Sequence, residues 1–182
     1  MQVRQTPIDG LLMIEPARFG DDRGWFEETW NAQRYAAAGI GCDWVQDNHS
    51  MSSAVGTLRG LHYQKPPNAQ AKLVRCTRGK IWDVAVDYRP QSPTYLKYFG
   101  IELDPQSGTQ LFIPSGFLHG FVTLEPNSEL QYKCSAPYAP ESDGAIRWND
   151  PDIGIDWPLE GDPVLSAKDE AAPLTSDVAS PF

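Results

Sequence analysis

Three side chains stand out as able to move a proton or hold an anion: His62, Lys72 and Tyr132. His62 lies in Arg59-Gly60-Leu61-His62-Tyr63-Gln64, and Lys72 follows in Gln70-Ala71-Lys72-Leu73-Val74. An imidazole with a usual pKa of about 6.5 can accept a proton at neutral pH. A protonated ammonium is a poor metal ligand and repels a cation, so Lys72 suits an anion. Lys72 alternates with Val74 and Cys76, and Tyr132 alternates with Leu130 and Cys134. If those faces point inward, both polar groups sit among apolar neighbours, which is costly unless they are paired or used. Each has a plainer explanation. A lysine can run its stem along apolar surface and keep its head in water. A tyrosine can bond a backbone carbonyl, and a strand histidine is more often structural. Ser166-x-x-Asp169 fits a helix capping box. A second block, from Gly108 through Pro114 and Gly116 to His119, has the spacing G-x5-P-x-G-x2-H.

These residues need strands to position them. Val3 to Ile14 reads as short strand pieces broken by Pro7 and Asp9-Gly10. Phe19 to Phe26 reads as a loop carrying Asp21, Asp22 and Gly24. Glu28 to Ala38 is the clearest helix, with Trp30, Arg34, Ala37 and Ala38 at helical spacing and Gly39 at its end. From Cys42 to about Glu125, short alternating runs are separated by Gly, Pro and Asp. Ile81–Asp87 and Leu130–Cys134 are the most strand-like. Many short strands at such intervals imply an all-β sandwich or barrel. From Tyr138 onward Pro and Asp are frequent, which implies irregular chain wrapped on that barrel, with a short helix at Ser166 to Ala171. No repeat or linker divides the 182 residues, so we expect one domain, 1–182, whose C-terminal wrap is 138–182.

Composition narrows the partners. Fifteen Lys and Arg against 24 Asp and Glu give a net charge of −9. That balance argues against nucleic acid or an anionic membrane, although local basic groups can still dominate one cleft. Cys42, Cys76 and Cys134 are odd in number and widely spaced, which suggests a reducing cytosol rather than a disulfide or zinc framework. No secretory leader is evident, and no apolar run approaches a membrane span, so a cytoplasmic location is expected.

The two histidine-bearing blocks resemble the paired signatures of the cupin superfamily. Gln64 stands where metal-binding cupins carry a second histidine, and Lys72 where they carry a glutamate. A longer ordered series resembles the dTDP-4-dehydrorhamnose 3,5-epimerase family. It runs through Asp22-Arg23-Gly24 with Phe26 and Glu28, then Gln46-Asp47-Asn48 with Ser50 and Ser52. It continues through the His62 and Lys72 segments, Asp83–Asp87, Ser92-Pro93-Thr94, His119-Gly120-Phe121 and Tyr132-Lys133-Cys134. Trp148–Pro151, Trp157-Pro158 and Lys168-Asp169 complete it, so the likeness covers residues from about 5 to about 170.

The resemblance implies a cupin-type jelly roll of two antiparallel sheets with a few short peripheral helices. It implies an isomerase that inverts C3 and C5 of dTDP-4-dehydro-6-deoxy-D-glucose. Both carbons flank a ketone, so a base, an opposed proton donor and a cation for the enolate oxygen suffice, with no metal or other cofactor. By the same resemblance His62 is the base, Asp169 orients it, Lys72 faces the enolate oxygen and Tyr132 returns the proton. Arg23, Arg59 and Lys168 would contact the diphosphate and sugar, His119 the sugar or phosphate, and Tyr138 the thymine ring. Glu28, Gln46, Asn48 and Asp143 would bond the nucleoside. Position 143 is often Glu in the family, so Asp143 reaches less far. A homodimer is implied, with N-terminal strands exchanged or paired and Arg23 and Phe26 serving the partner's site. The alternatives are a relative inverting only one carbon, a metal-dependent cupin, and a sugar-binding module without activity.

Overall fold

The computed structural model describes residues 1–182, and its regular secondary structure is almost entirely β-strand. In chain order these are β1 (Gln2–Gln5), β2 (Leu12–Glu15), β3 (Arg18–Asp21), β4 (Gly24–Glu27), β5 (Gln46–Ser52), β6 (Leu58–Gln64) and β7 (Lys72–Arg78). Then come β8 (Ile81–Asp87), β9 (Tyr98–Leu103), β10 (Gln110–Ile113), β11 (Phe117–Thr123), β12 (Ser128–Cys134) and β13 (Asp143–Ala145). Two short helices, α1 (Ala32–Ala37) and α2 (Ala167–Glu170), lie outside the sheets. One sheet has the order β1-β2-β10-β7-β12-β5 and the other β13-β6-β11-β8-β9, with every pairing of named strands antiparallel. Sequence-distant strands pair as in the expected jelly roll: β10 lies between β2 and β7, and β11 between β6 and β8.

Period-two alternation decides what each strand shows to each side. Between the sheets, Val74 and Cys76 of β7 and Leu130 of β12 meet Ile81 and Ala85 of β8 and Phe117 and Phe121 of β11. Behind the five-stranded sheet, Val84, Val86, Leu118 and Val122 pack on Ile146, Ile153 and Trp157 of the C-terminal segment. Behind the six-stranded sheet, Leu12, Leu73 and Phe112 pack on Tyr35 and Ile40. Each fully buried Leu, Val or Phe contributes on the order of 1.5–3 kcal/mol. The inward faces of both sheets are therefore held in register, and so are the polar residues that share them.

Two expected elements differ. Phe19 to Phe26 is not a loop but the hairpin β3–β4, in which Phe19 pairs with Phe26 and Asp21 with Gly24. The turn-forming residues sit only at its tip. The Asp21 carboxylate accepts from the Arg23 amide at 2.9 Å, and Gly24 takes φ +131°. The helix begins at Ala32, not Glu28, because Asn31 caps it: its side-chain oxygen accepts from the Arg34 amide at 3.1 Å. Gly39 then turns the chain with φ +87° just past the C-cap, Ala38. The expected short helix at Ser166 is α2, capped by Ser166 itself. No helix is long and apolar enough to cross a membrane.

Candidate active site

A cleft of about 490 Å³ opens between the sheets at the ends of β5, β6 and β7. β5 supplies Gln46, Asn48 and Ser50, the inward members of one alternating run. β7 and β12 supply Lys72 and Tyr132 from the same sheet, with Cys134 directly opposite Lys72 in register. The other sheet supplies His62 and Gln64 from β6 and Asp143 from β13. Tyr138 and Lys168 line it from the C-terminal segment. A second cavity of about 300 Å³ shares His62 and Lys168 with the first and adds Arg59, Ser166 and Asp169. The two walls thus carry different chemistry, imidazole and carboxylate on one, ammonium and phenol on the other.

His62 and Asp169 are 107 residues apart in sequence, yet His62 Nε2 lies 2.5 Å from Asp169 Oδ1. α2 brings Asp169 there. Ser166 caps the helix by accepting from the Asp169 amide at 3.1 Å, and its hydroxyl donates to Asp169 Oδ2 at 2.9 Å. The capping box and the histidine pairing are therefore one arrangement, not alternatives. Burial pushes the Asp169 carboxyl upward, but hydrogen bonds from His62 and Ser166 outweigh it and hold the group below its usual range. As a carboxylate, Asp169 accepts from Nε2–H of His62, so in a neutral imidazole Nδ1 is the acceptor nitrogen.

Lys72 lies deep between the sheets. Burial lowers its pKa, and Cys134, Asp83 and Asp143 oppose that fall. Tyr132 is shifted the other way. Burial raises its pKa, with the nearby Cys134 adding to the rise, while Asn48 and Arg59 oppose it. At neutral pH the phenol keeps its proton. Tyr138 is 57% exposed at the cleft mouth. Its amide donates to Gln46 Oε1 at 2.9 Å, and its hydroxyl donates to Asp143 at 3.3 Å. Lys168 donates to the same Asp143 carboxylate. Arg59 lines only the second cavity, where it donates to Ser52 Oγ at 3.1 Å and Met51 O at 3.2 Å.

Not every expected residue converges here. His119 is buried, does not line the cleft, and has Nε2 at 2.8 Å from Asp83 Oδ1. Arg23 and Phe26 lie on the exposed hairpin β3–β4, and Arg23 is paired with Asp21. Glu28 bonds Arg34 at 3.0 Å and Asn31 at 3.3 Å. Within one chain none of these four lines the cleft. Sequence reasoning gave no role to Ser50, Gln70 or Asp83. The alternation of Ser50 with Asn48, and of Gln70 with Lys72, was the available signal. For Asp83 the signal was its place between Ile81 and Ala85 on an inward apolar face.

A sequence model of the family described as dTDP-4-dehydrorhamnose 3,5-epimerase matches residues 5–177. The dTDP-4-dehydrorhamnose 3,5-epimerase of Salmonella typhimurium is 50% identical over 175 residues, 96% of this chain and 95% of that one. The crystal structure of the dTDP-6-deoxy-D-glucose-3,5-epimerase of Legionella pneumophila, in complex with dTDP-4-keto-L-rhamnose, superposes with a TM-score of 0.92 at 45% identity. It covers 96% of this chain and 93% of that one. A 3'-monoepimerase from Streptomyces bikiniensis, in complex with dTDP-quinovose, superposes with a TM-score of 0.88 at 35% identity, covering 94% and 86%. With the two-sheet fold and the His62–Asp169 cleft in place, the chain belongs to the dTDP-4-dehydrorhamnose 3,5-epimerase family.

Proposed function

We propose that this chain inverts C3 and C5 of dTDP-4-dehydro-6-deoxy-D-glucose, giving dTDP-4-dehydro-β-L-rhamnose. One observation carries the reading. A carboxylate-oriented imidazole on one sheet faces an ammonium and a protonated phenol on the other, across a shared cleft. Inversion at a carbon beside a ketone needs a base on one side and a donor on the opposite side. The unprotonated Nδ1 of His62 removes the proton, and Asp169 stabilises the imidazolium that forms. The electron pair moves onto the C4 oxygen, where the Lys72 ammonium balances it. Tyr132 returns a proton to the opposite face. Two such cycles, at C3 and at C5, complete the reaction, and solvent restores both groups between cycles.

The remaining residues of the cleft and of the cavity beside it fit the nucleotide. Tyr138 offers an exposed ring to thymine, Gln46, Asn48 and Asp143 offer hydrogen bonds, and Arg59 and Lys168 offer positive charge to the diphosphate. One domain, residues 1–182, carries this function, and its C-terminal segment from 138 closes one side of the cleft. We place the enzyme in the cytoplasm, which agrees with three unpaired cysteines. It acts as a homodimer, in which the hairpin bearing Arg23 and Phe26, together with Glu28, completes the partner's site. The exposed Phe19, Trp25 and Phe26 support a covered hairpin.

Incubation with the ketosugar in D2O tests the reading. Deuterium should enter at both C3 and C5. Exchange at one carbon only would make the chain a mono-epimerase, and dTDP binding without exchange at either carbon would make it a binding module. Near-stoichiometric metal in the purified protein would oppose metal-free chemistry.

A further inference from the structure

The exposed ring of Tyr138 is carried by a stretch of chain that no sheet supports. Residues 136–138 belong to no strand or helix and make no backbone–backbone hydrogen bond. Backbone polar groups at a protein surface cleft need partners, and here glutamine side chains supply them. The Gln70 amide donates to Ala136 O at 2.7 Å, and the Tyr138 amide donates to Gln46 Oε1 at 2.9 Å. Gln64 holds both flanks of the ring. Its Nε2 donates to Pro137 O at 3.2 Å, and its Oε1 accepts from the Ala139 amide at 2.8 Å. The same Nε2 donates to Asn68 O at 2.7 Å. We propose that Gln64, supported by Gln70, is a positioning residue for nucleotide binding: its carboxamide clamps the backbone on either side of Tyr138 and sets the ring where a thymine base can stack on it. The assignment rests on Tyr138 being the aromatic platform.

Gln64 is 5% exposed and sits on β6 two residues past His62. A carboxamide offers two donor hydrogens and an acceptor oxygen. Both hydrogens and the oxygen of Gln64 are engaged within the chain, so it serves the chain more than a ligand although it lines the cleft. Its carboxamide bonds none of His62, Lys72, Tyr132 and Asp169, which separates the clamp from proton transfer. The neighbouring strand completes the hold on the ring. Gln64 pairs with Asp143 in the register of β6 and β13, and the Tyr138 hydroxyl donates to Asp143 at 3.3 Å. The backbone of the platform is thus fixed from β6 and the tip of its ring from β13. Tyr138 belongs to no core cluster, so packing does not set the direction of the ring. The chain that carries it does. A ring already held in direction loses less freedom when the base arrives, which strengthens binding without any new contact.

The test compares Gln64→Met with wild-type enzyme, using dTDP and inorganic pyrophosphate as probes. Methionine keeps the length of the side chain but offers neither the donors nor the amide oxygen. Tyr138→Ala sets the scale, because stacking a base on an aromatic ring is worth about fivefold to a hundredfold in affinity. Gln64→Met should weaken dTDP binding at least about threefold. KM for the nucleotide sugar should rise with it, and kcat should fall less. Inhibition by pyrophosphate, which carries the phosphates without the base, should stay within about twofold. In a Tyr138→Ala background, Gln64→Met should cost less than about twofold more in dTDP affinity, since the two residues act as one unit. Unchanged dTDP affinity, an equal loss for pyrophosphate, or the full loss repeated without the Tyr138 ring would overturn the proposal. Should Gln64→Met fail to fold, Gln70→Met frees only the Ala136 carbonyl and must show the same split between dTDP and pyrophosphate. Failure of the parent reading looks different, because Tyr138→Ala would then bind dTDP as wild type does.

Discussion

At the scale of single residues, the proposed base and the proposed acid differ both in type and in environment. His62 has a buried carboxylate on one nitrogen and the cleft on its other side. His62→Ala should lower exchange at both carbons by at least about 10²-fold, while dTDP binding measured by calorimetry stays within a few-fold. Tyr132→Phe should behave differently. Proton removal does not need the phenol, so exchange should persist while inversion falls. Equal loss of both would contradict the division of labour. The pH dependence has a definite sign. In the proposed reaction Lys72 works as a cation, and burial lowers its pKa from the usual lysine value, whereas burial raises that of Tyr132. Activity should therefore fall as pH rises through the Lys72 pKa. Tyr132→Phe should leave that alkaline limb in place when exchange is followed.

At the scale of elements, close approach of backbones positions the imidazole. β6 and β11 meet at Gly60 and Gly120, where the register slips between His119 and Phe121. Gly60 has φ +128°, and a Cβ there would stand 2.6 Å from the Gly120 Cα and 2.8 Å from the His119 carbonyl oxygen. Neither contact can relax without moving a strand. Gly60→Ala should therefore destabilise the fold by roughly 2 kcal/mol or more. It should also reduce kcat more than it raises KM, because His62 and His119 flank the strained point. Calorimetry and steady-state kinetics on one preparation check both. The capping helix α2 gives a milder case. Ser166→Ala removes one acceptor and one donor from Asp169, and should cost about 1 kcal/mol together with a measurable part of the exchange rate.

For the whole molecule, the exposed aromatic hairpin is the feature a lone chain does not explain. Phe19, Trp25 and Phe26 are 64%, 59% and 69% exposed on β3–β4, and none of them belongs to a core cluster. In a homodimer these rings would be covered and Arg23 would gain a ligand. Light scattering should give a dimer for the wild type. Phe26→Ser should shift it toward monomer or raise KM for the nucleotide sugar. An unchanged dimer with unchanged KM would remove the hairpin from the site.

The strand alternation by itself determined much of this protein. Lys72 with Val74 and Cys76, and Tyr132 with Leu130 and Cys134, could be assigned to shared faces because a strand side chain has only two directions to take, and packing then turned those faces inward. The ordered motifs likewise pointed to the family and to the two-sheet fold. Other features depended on contacts that no local pattern encodes. The hairpin at Phe19–Phe26 looked like a loop because its turn residues dominate a short segment. The helix start moved to Ala32 because Asn31 offered the Arg34 amide a better cap than the residues before it. The pairing of His62 with Asp169, and of His119 with Asp83, joins strands and helices far apart in sequence. Only tertiary packing decides such pairs, since it alone selects which buried charge meets which partner once water is excluded.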